Sequence, residues 1–211
     1  MRLLALAVLI VLGSLNAPAF AANYSELTDG ELSNDRLSPT FLQLDYLPVG
    51  NVFGSNVLDG ATGRNATTSV IDRDYLWINV PTDYVLSELR VGNQTQVGGG
   101  GSFIGVAGGR FMPVDASAST AAGLLGWRVY GTADRGTNIL DDMAVAGNGA
   151  SGFSGTLGAG DYTFWVQELA PGTYPYRFNL LLTPVPVPAA LWLFASGLGL
   201  LTVLRRGAAA V

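Results

Sequence analysis

The side chains able to do chemistry in this chain are carboxylates, hydroxyls and arginines. Its 211 residues include 16 Asp and Glu and 11 Arg, with no Lys, His or Cys. The missing His and Cys exclude the Ser-His-Asp triad, cysteine nucleophiles and zinc centres built from imidazole or thiolate. The missing Lys excludes Schiff-base chemistry and the phosphate-binding P-loop. Ser and Thr hydroxyls have no base to activate them. No disulfide can form, so a folded domain must rest on core burial.

Oxygen ligands are what remain. Calcium takes about six to eight hard oxygens from carboxylates, amides and backbone carbonyls. Glu31, Asn34 and Asp35 offer three such side chains within five residues, and Asp72 and Asp74 offer two more before a strand. The alternative is turn chemistry: Asn34-Asp35 can cap a turn, and Asp72 can close an Asx turn. No EF-hand loop is present. An acid/base carboxylate pair, as in a glycosidase, is a further option. The only adjacent pair, Asp141-Asp142, would point to opposite faces of a strand. Trp77, Trp127 and Trp165 either stack on sugar rings or fill core. Gly98–Gly101 lacks the Lys-Ser/Thr of a phosphate cradle and reads, like Asp115–Gly123, as a flexible loop. No catalytic set emerges, and the chain is expected not to be an enzyme.

The elements that position these residues lie between two targeting segments. Residues 1–21 read as a signal peptide: Arg2, a ten-residue apolar run Leu3–Leu12, and Ala19-Phe20-Ala21 as the signal peptidase site. Near the other end, Val185–Leu204 is a 20-residue apolar run closed by Arg205-Arg206. As a helix it is about 30 Å long and matches a bilayer core. The two arginines favour a cytoplasmic end, and Trp192 suits the outer interface.

Between them, residues 22–183 hold all 16 carboxylates and 8 arginines, a net charge of −8. No basic stripe exists to hold nucleic acid. Glycine makes up 24 of these 162 residues, which favours turns over long helices. Strand signals are strong at 74–80, 84–91, 124–130, 161–167 and 176–182. They are weaker at 40–47, 51–57, 102–107 and 152–157. About nine strands at regular spacing predict an all-β, antiparallel sandwich or barrel. The strands at 161–167 and 176–182 are expected to form a closing hairpin.

Two resemblances sharpen this reading. Val185-Pro186-Val187-Pro188-Ala189-Ala190-Leu191-Trp192-Leu193-Phe194, with Ser196-Gly197-Leu198 and the Arg205-Arg206 tail, resembles a PEP-CTERM sorting segment. Val187 stands where that family's Pro-Glu-Pro has glutamate. The resemblance covers about 25 residues. It implies processing by exosortase near Pro186–Pro188 after transient anchoring by the helix 185–204. Delivery to the surface or exterior of a Gram-negative cell follows, often in connection with exopolysaccharide.

Within the domain, three pieces occur in order: Glu31-Leu32-Ser33-Asn34-Asp35, Asp72–Pro81 and Leu157–Val166. They resemble the bacterial pre-peptidase C-terminal domain, which implies a jelly-roll-like sandwich over most of 29–183. In related domains the first two regions meet around calcium. That implies ligand roles for Glu31, Asn34, Asp35, Asp72 and Asp74, with one extra residue separating Glu31 from the Asn-Asp pair. The reading is an exported surface or matrix protein; the alternative is a calcium- or carbohydrate-binding module.

Overall fold

The computed structural model describes residues 23–45 and 55–185. The expected peptidase site at Ala19 and Ala21, and the sorting segment from Pro186 through Arg205 and Arg206, lie outside the described residues. Val185 is the last described residue, and its N–H donates to the Asp83 carbonyl at 2.8 Å. Among the described residues no helix is long and apolar enough to cross a membrane.

The fold is all-β and mostly antiparallel. In chain order the elements are β1 (Asn23–Ser25), α1 (Glu26–Asp29), β2 (Thr40–Leu42), β3 (Ser55–Arg64), β4 (Ile71–Val80) and β5 (Tyr84–Val91). Then come β6 (Ser102–Gly108), β7 (Gly126–Tyr130), α2 (Leu140–Met143), β8 (Gly160–Gln167) and β9 (Gly172–Pro184). The strands form one curled sheet in the order β5-β9-β3-β4-β8-β6-β7, with β1 beside β3 and β2 beside β4.

One junction organises the molecule. β3 and β4 pair over only two residue pairs, Gly63 with Asp72 and Arg64 with Ile71. Beyond these the strands separate, dividing the sheet into two wings. The N-terminal segment fills the gap. β1 runs parallel to β3 at Val57–Asp59, and β2 runs parallel to β4 at Leu76–Ile78.

Period-two patterning explains the inward face. Leu76, Ile78 and Val80 of β4 join Phe164 and Val166 of β8 and Phe178, Leu180 and Leu182 of β9 in the main core. β5 alternates only in part because a bulge between Leu86 and Glu88 shifts its register. Leu86 before the bulge and Leu89 after it therefore both face inward. A second, smaller core lies elsewhere, built from Tyr75, Trp165, Met112, Val114 and Leu124.

Several expectations need correction. β8 and β9 do not form a hairpin: β8 pairs with β4 and β6, while β9 pairs with β3 and β5. Both edges of each strand are taken by other strands, so the connection at 168–171 crosses between wings. Residues 152–157 are not a strand; only Leu157 bridges, to Leu86. β3 extends past the expected end at Val57 to Arg64. The Gly98–Gly101 loop is hydrogen-bonded at both ends. Gly98 N–H donates to the buried carboxylate of Glu168 at 2.7 Å, and Gly101 N–H donates to the Gly98 carbonyl at 3.0 Å. Asp141-Asp142 sits on α2, with Asp142 ion-paired to Arg128 at 2.9 Å.

α2 buries Leu140 and Met143 against the core, and its approach to β7 depends on Gly126. A Cβ there would lie 2.0 Å from the Met143 carbonyl oxygen, so α2 must move to admit it. Gly126→Ala is expected to cost about 1–3 kcal/mol, read by urea denaturation. An unchanged midpoint contradicts this packing.

Candidate cation site

Where β3 and β4 part, three carboxylates converge. One oxygen each from Glu26, Glu31 and Asp74 lies within 4.8 Å of the others. Each reaches the place for a local reason. β1 lies parallel along β3, so Glu26, which follows it, accepts the Ala61 N–H at 2.7 Å. Had the β3–β4 ladder continued, Ala61 would have faced Asp74; Glu26 occupies that position instead. The other Glu26 oxygen accepts the Leu32 N–H at 3.1 Å, tying it to the segment that carries Glu31. That segment is held against β4 by Tyr75 N–H donating to the Ser33 carbonyl at 2.9 Å. Buried Leu32 anchors it between these two points.

Asp74 stands at the inward parity of β4, two residues before Leu76, and is 0% exposed. Its Oδ2 accepts the Tyr176 hydroxyl at 2.7 Å. Its Oδ1 is buried with no hydrogen-bond partner. Such an orphaned carboxylate oxygen is costly unless a proton or a cation meets it. The Tyr176 ring can cross to Asp74 only because its cross-strand partner is Gly60; a Cβ there would sit 2.4 Å from the Tyr176 hydroxyl oxygen. Gly60→Ala is therefore expected to push the hydroxyl off Asp74. The loss should be about 1–3 kcal/mol by urea denaturation, and an unchanged midpoint contradicts this contact.

The electrostatics follow from burial and like charge. Burial, then the neighbouring Glu26 carboxylate, push Asp74 up to about 9 despite the Tyr176 hydrogen bond. Burial also raises Glu26 to about 7, against the lowering effect of its two backbone donors. Burial, with Asp72 nearby, raises Glu31. Among the described residues no arginine pairs with any of the three.

The other residues singled out in the sequence lie around the cluster. Asn34 bridges to β4: its Nδ2 donates to Asp72 Oδ1 at 3.0 Å, and its Oδ1 accepts the Arg73 N–H at 2.7 Å. Asp35 accepts the Leu37 N–H at 2.9 Å, an Asx turn. Thus Glu31 and Asp74 join the cluster, Asn34 and Asp72 clamp the two segments together, and Asp35 shapes the turn. Sequence reasoning missed Glu26. Its one signal was a second glutamate five residues before Glu31 on a segment that also carries Asp29.

The donor set fits a hard divalent cation. Any two oxygens bound to one calcium at bond lengths near 2.4 Å lie at most about 4.8 Å apart, so the spacing of the three groups is compatible with a shared ion. All-oxygen donors disfavour zinc and copper. No protein family, curated protein or solved structure matches this chain.

Proposed function

We propose that the chain is an exported, non-catalytic surface or extracellular-matrix protein whose β-domain is locked by one calcium ion. The observation that carries the calcium reading is the fully buried Asp74 carboxyl, with one oxygen unpartnered, facing Glu26 and Glu31. The export reading rests on the N-terminal apolar run and on the Pro186–Arg206 pattern, which point to signal peptidase, exosortase and a transient membrane anchor. Exopolysaccharide is the surrounding matrix this route implies. The division of the curled sheet into two wings supports reading the domain as the jelly-roll-like sandwich expected from the sequence.

The cluster serves structure rather than hydrolysis. A glycosidase pair must flank a substrate bond, and Asp74 at 0% exposure cannot meet one. Its three members come from the N-terminal segment and from β4, so a bound ion would fasten that segment across the gap between the wings. Equilibrium dialysis of the exported protein against calcium, followed by elemental analysis, should find one calcium per chain. No retained calcium contradicts the reading. Mass spectrometry of the released protein should give Ala22 as the first residue and show loss of the segment after Pro188. An intact tail refutes the sorting proposal.

A further inference from the structure

The smaller core opens into a cleft unrelated to the acidic cluster. An aromatic row crosses the outward face of four strands, and its members Trp165, Phe103 and Trp127 line the cleft. The register aligns Tyr75 with Trp165, Trp165 with Gly105, and Gly105 with Trp127. Gly105 leaves a gap that Phe103, two residues back on the same face, leans across; a Cβ at 105 would meet its ring at 3.0 Å. Phe103 thus contacts both neighbours, with ring centroids 4.7 Å from Trp165 and 6.2 Å from Trp127.

The wall opposite is the small-residue stretch 114–121, which is held rather than loose. Asp115 accepts the Ser117 N–H and hydroxyl at 2.9 and 2.7 Å and pairs with Arg36 at 3.5 Å. Ala121 N–H donates to the Asn148 carbonyl at 2.7 Å. The half-open space is about 180 Å³, which suits one small ring rather than a drug-sized ligand. The lining includes Ser119, Thr120 and Asn148, whose side chains make no hydrogen bonds among the described residues, and Gln167, whose amide nitrogen makes none there either. Trp165, only 5% exposed, lines the cleft with an Nε1 that has no acceptor. Trp127 Nε1, by contrast, is fixed on the Gly147 carbonyl at 3.2 Å, which sets its ring plane.

We propose that this cleft binds one neutral pyranose ring. Aromatic faces receive the C–H faces of a sugar, and neutral amides and hydroxyls receive its hydroxyl groups. No arginine lines the cleft to pair with a phosphate or carboxylate, so phosphorylated and acidic sugars are disfavoured. An alkyl chain would leave the lining amides and hydroxyls unpaired. Trp77 belongs to a different place: its ring is engaged by Phe41 at 4.3 Å and by the Arg110 guanidinium at 4.8 Å.

The test titrates the exported protein with methyl glycosides of glucose, galactose, mannose and N-acetylglucosamine, followed by tryptophan fluorescence and calorimetry. At least one should bind saturably with millimolar affinity. Trp127→Ala should weaken it tenfold or more, and Trp77→Ala should leave it unchanged. Ala118→Trp, a change in the exposed wall that fills the cleft without touching the core, should abolish binding with an unchanged melting curve. That variant decides the matter should Trp127→Ala unfold. Three results overturn the proposal: no saturable binding to any of the four, equal weakening by Trp77→Ala, or binding undiminished by Ala118→Trp. Tighter binding of octyl alcohol than of any glycoside overturns it too, by making the cleft an alkyl site.

Discussion

Stripped of calcium, the protein should lose stability as pH rises from about 4 to about 9, and calcium should restore it. The direction follows from the raised carboxyls. The unfolded chain releases the Asp74 and Glu26 protons near pH 4, the ordinary carboxylate range, whereas the folded chain holds them to about 9 and about 7. Between those limits the folded state binds more protons, so each step upward in pH favours unfolding. The buried Asp74 contributes a slope of about 1 kcal/mol per pH unit. Glu26, half-buried, adds a smaller share. Calcium replaces those protons, so its affinity rises with pH. At a hundredfold excess over its dissociation constant it should add about 3 kcal/mol. For a domain of this size that is about 6–12 °C in melting temperature. Melting curves at about pH 5 and about pH 9, with and without calcium, should show a small shift at the lower pH and a large one at the higher. A calcium shift that is equal or smaller at the higher pH contradicts the site.

Asp74→Asn should reverse the order of stabilities. Asparagine keeps the shape and an acceptor for the Tyr176 hydroxyl, but it carries no charge. Without calcium at about pH 9 the variant should be more stable than the parent, because the buried charge is gone. With calcium it should be less stable, because one of three carboxylates no longer meets the ion. We expect calcium affinity to fall about a hundredfold, roughly 3 kcal/mol. A purely structural role for Asp74 predicts one ranking under both conditions. A variant that keeps the parent's calcium shift overturns the assignment.

The legibility of this arrangement in the sequence was uneven. Strands β4, β5, β8 and β9 stood out because alternation and aromatic content are local properties. The run Asp74-Tyr75-Leu76-Trp77-Ile78-Asn79-Val80 even placed its first carboxylate on the inward face of β4. Pairing was not local. The hairpin expected of residues 161–182 failed because β8 and β9 each find both partners far away in the chain.

For the candidate site, Glu31 and Asp74 were readable as oxygen ligands from type and spacing. Glu26 was not, because it arrives only through the parallel docking of β1 on β3. Asn34 and Asp72 were readable as polar residues, but their mutual hydrogen bond required the fold. Glycines carried more than turns. Gly60, Gly105 and Gly126 each mark where another group crosses a strand closely, which composition could show only as an excess.

Both expectations depend on a calcium ion held by Glu26, Glu31 and Asp74. Titration calorimetry of the metal-free exported protein at neutral pH tests it most directly, run in two buffers of different ionisation enthalpy. Saturation at one calcium per chain with net proton release is expected, and in Asp74→Asn about hundredfold weaker binding with less proton release. Absence of saturable binding, or binding with no proton release and no sensitivity to Asp74→Asn, contradicts it.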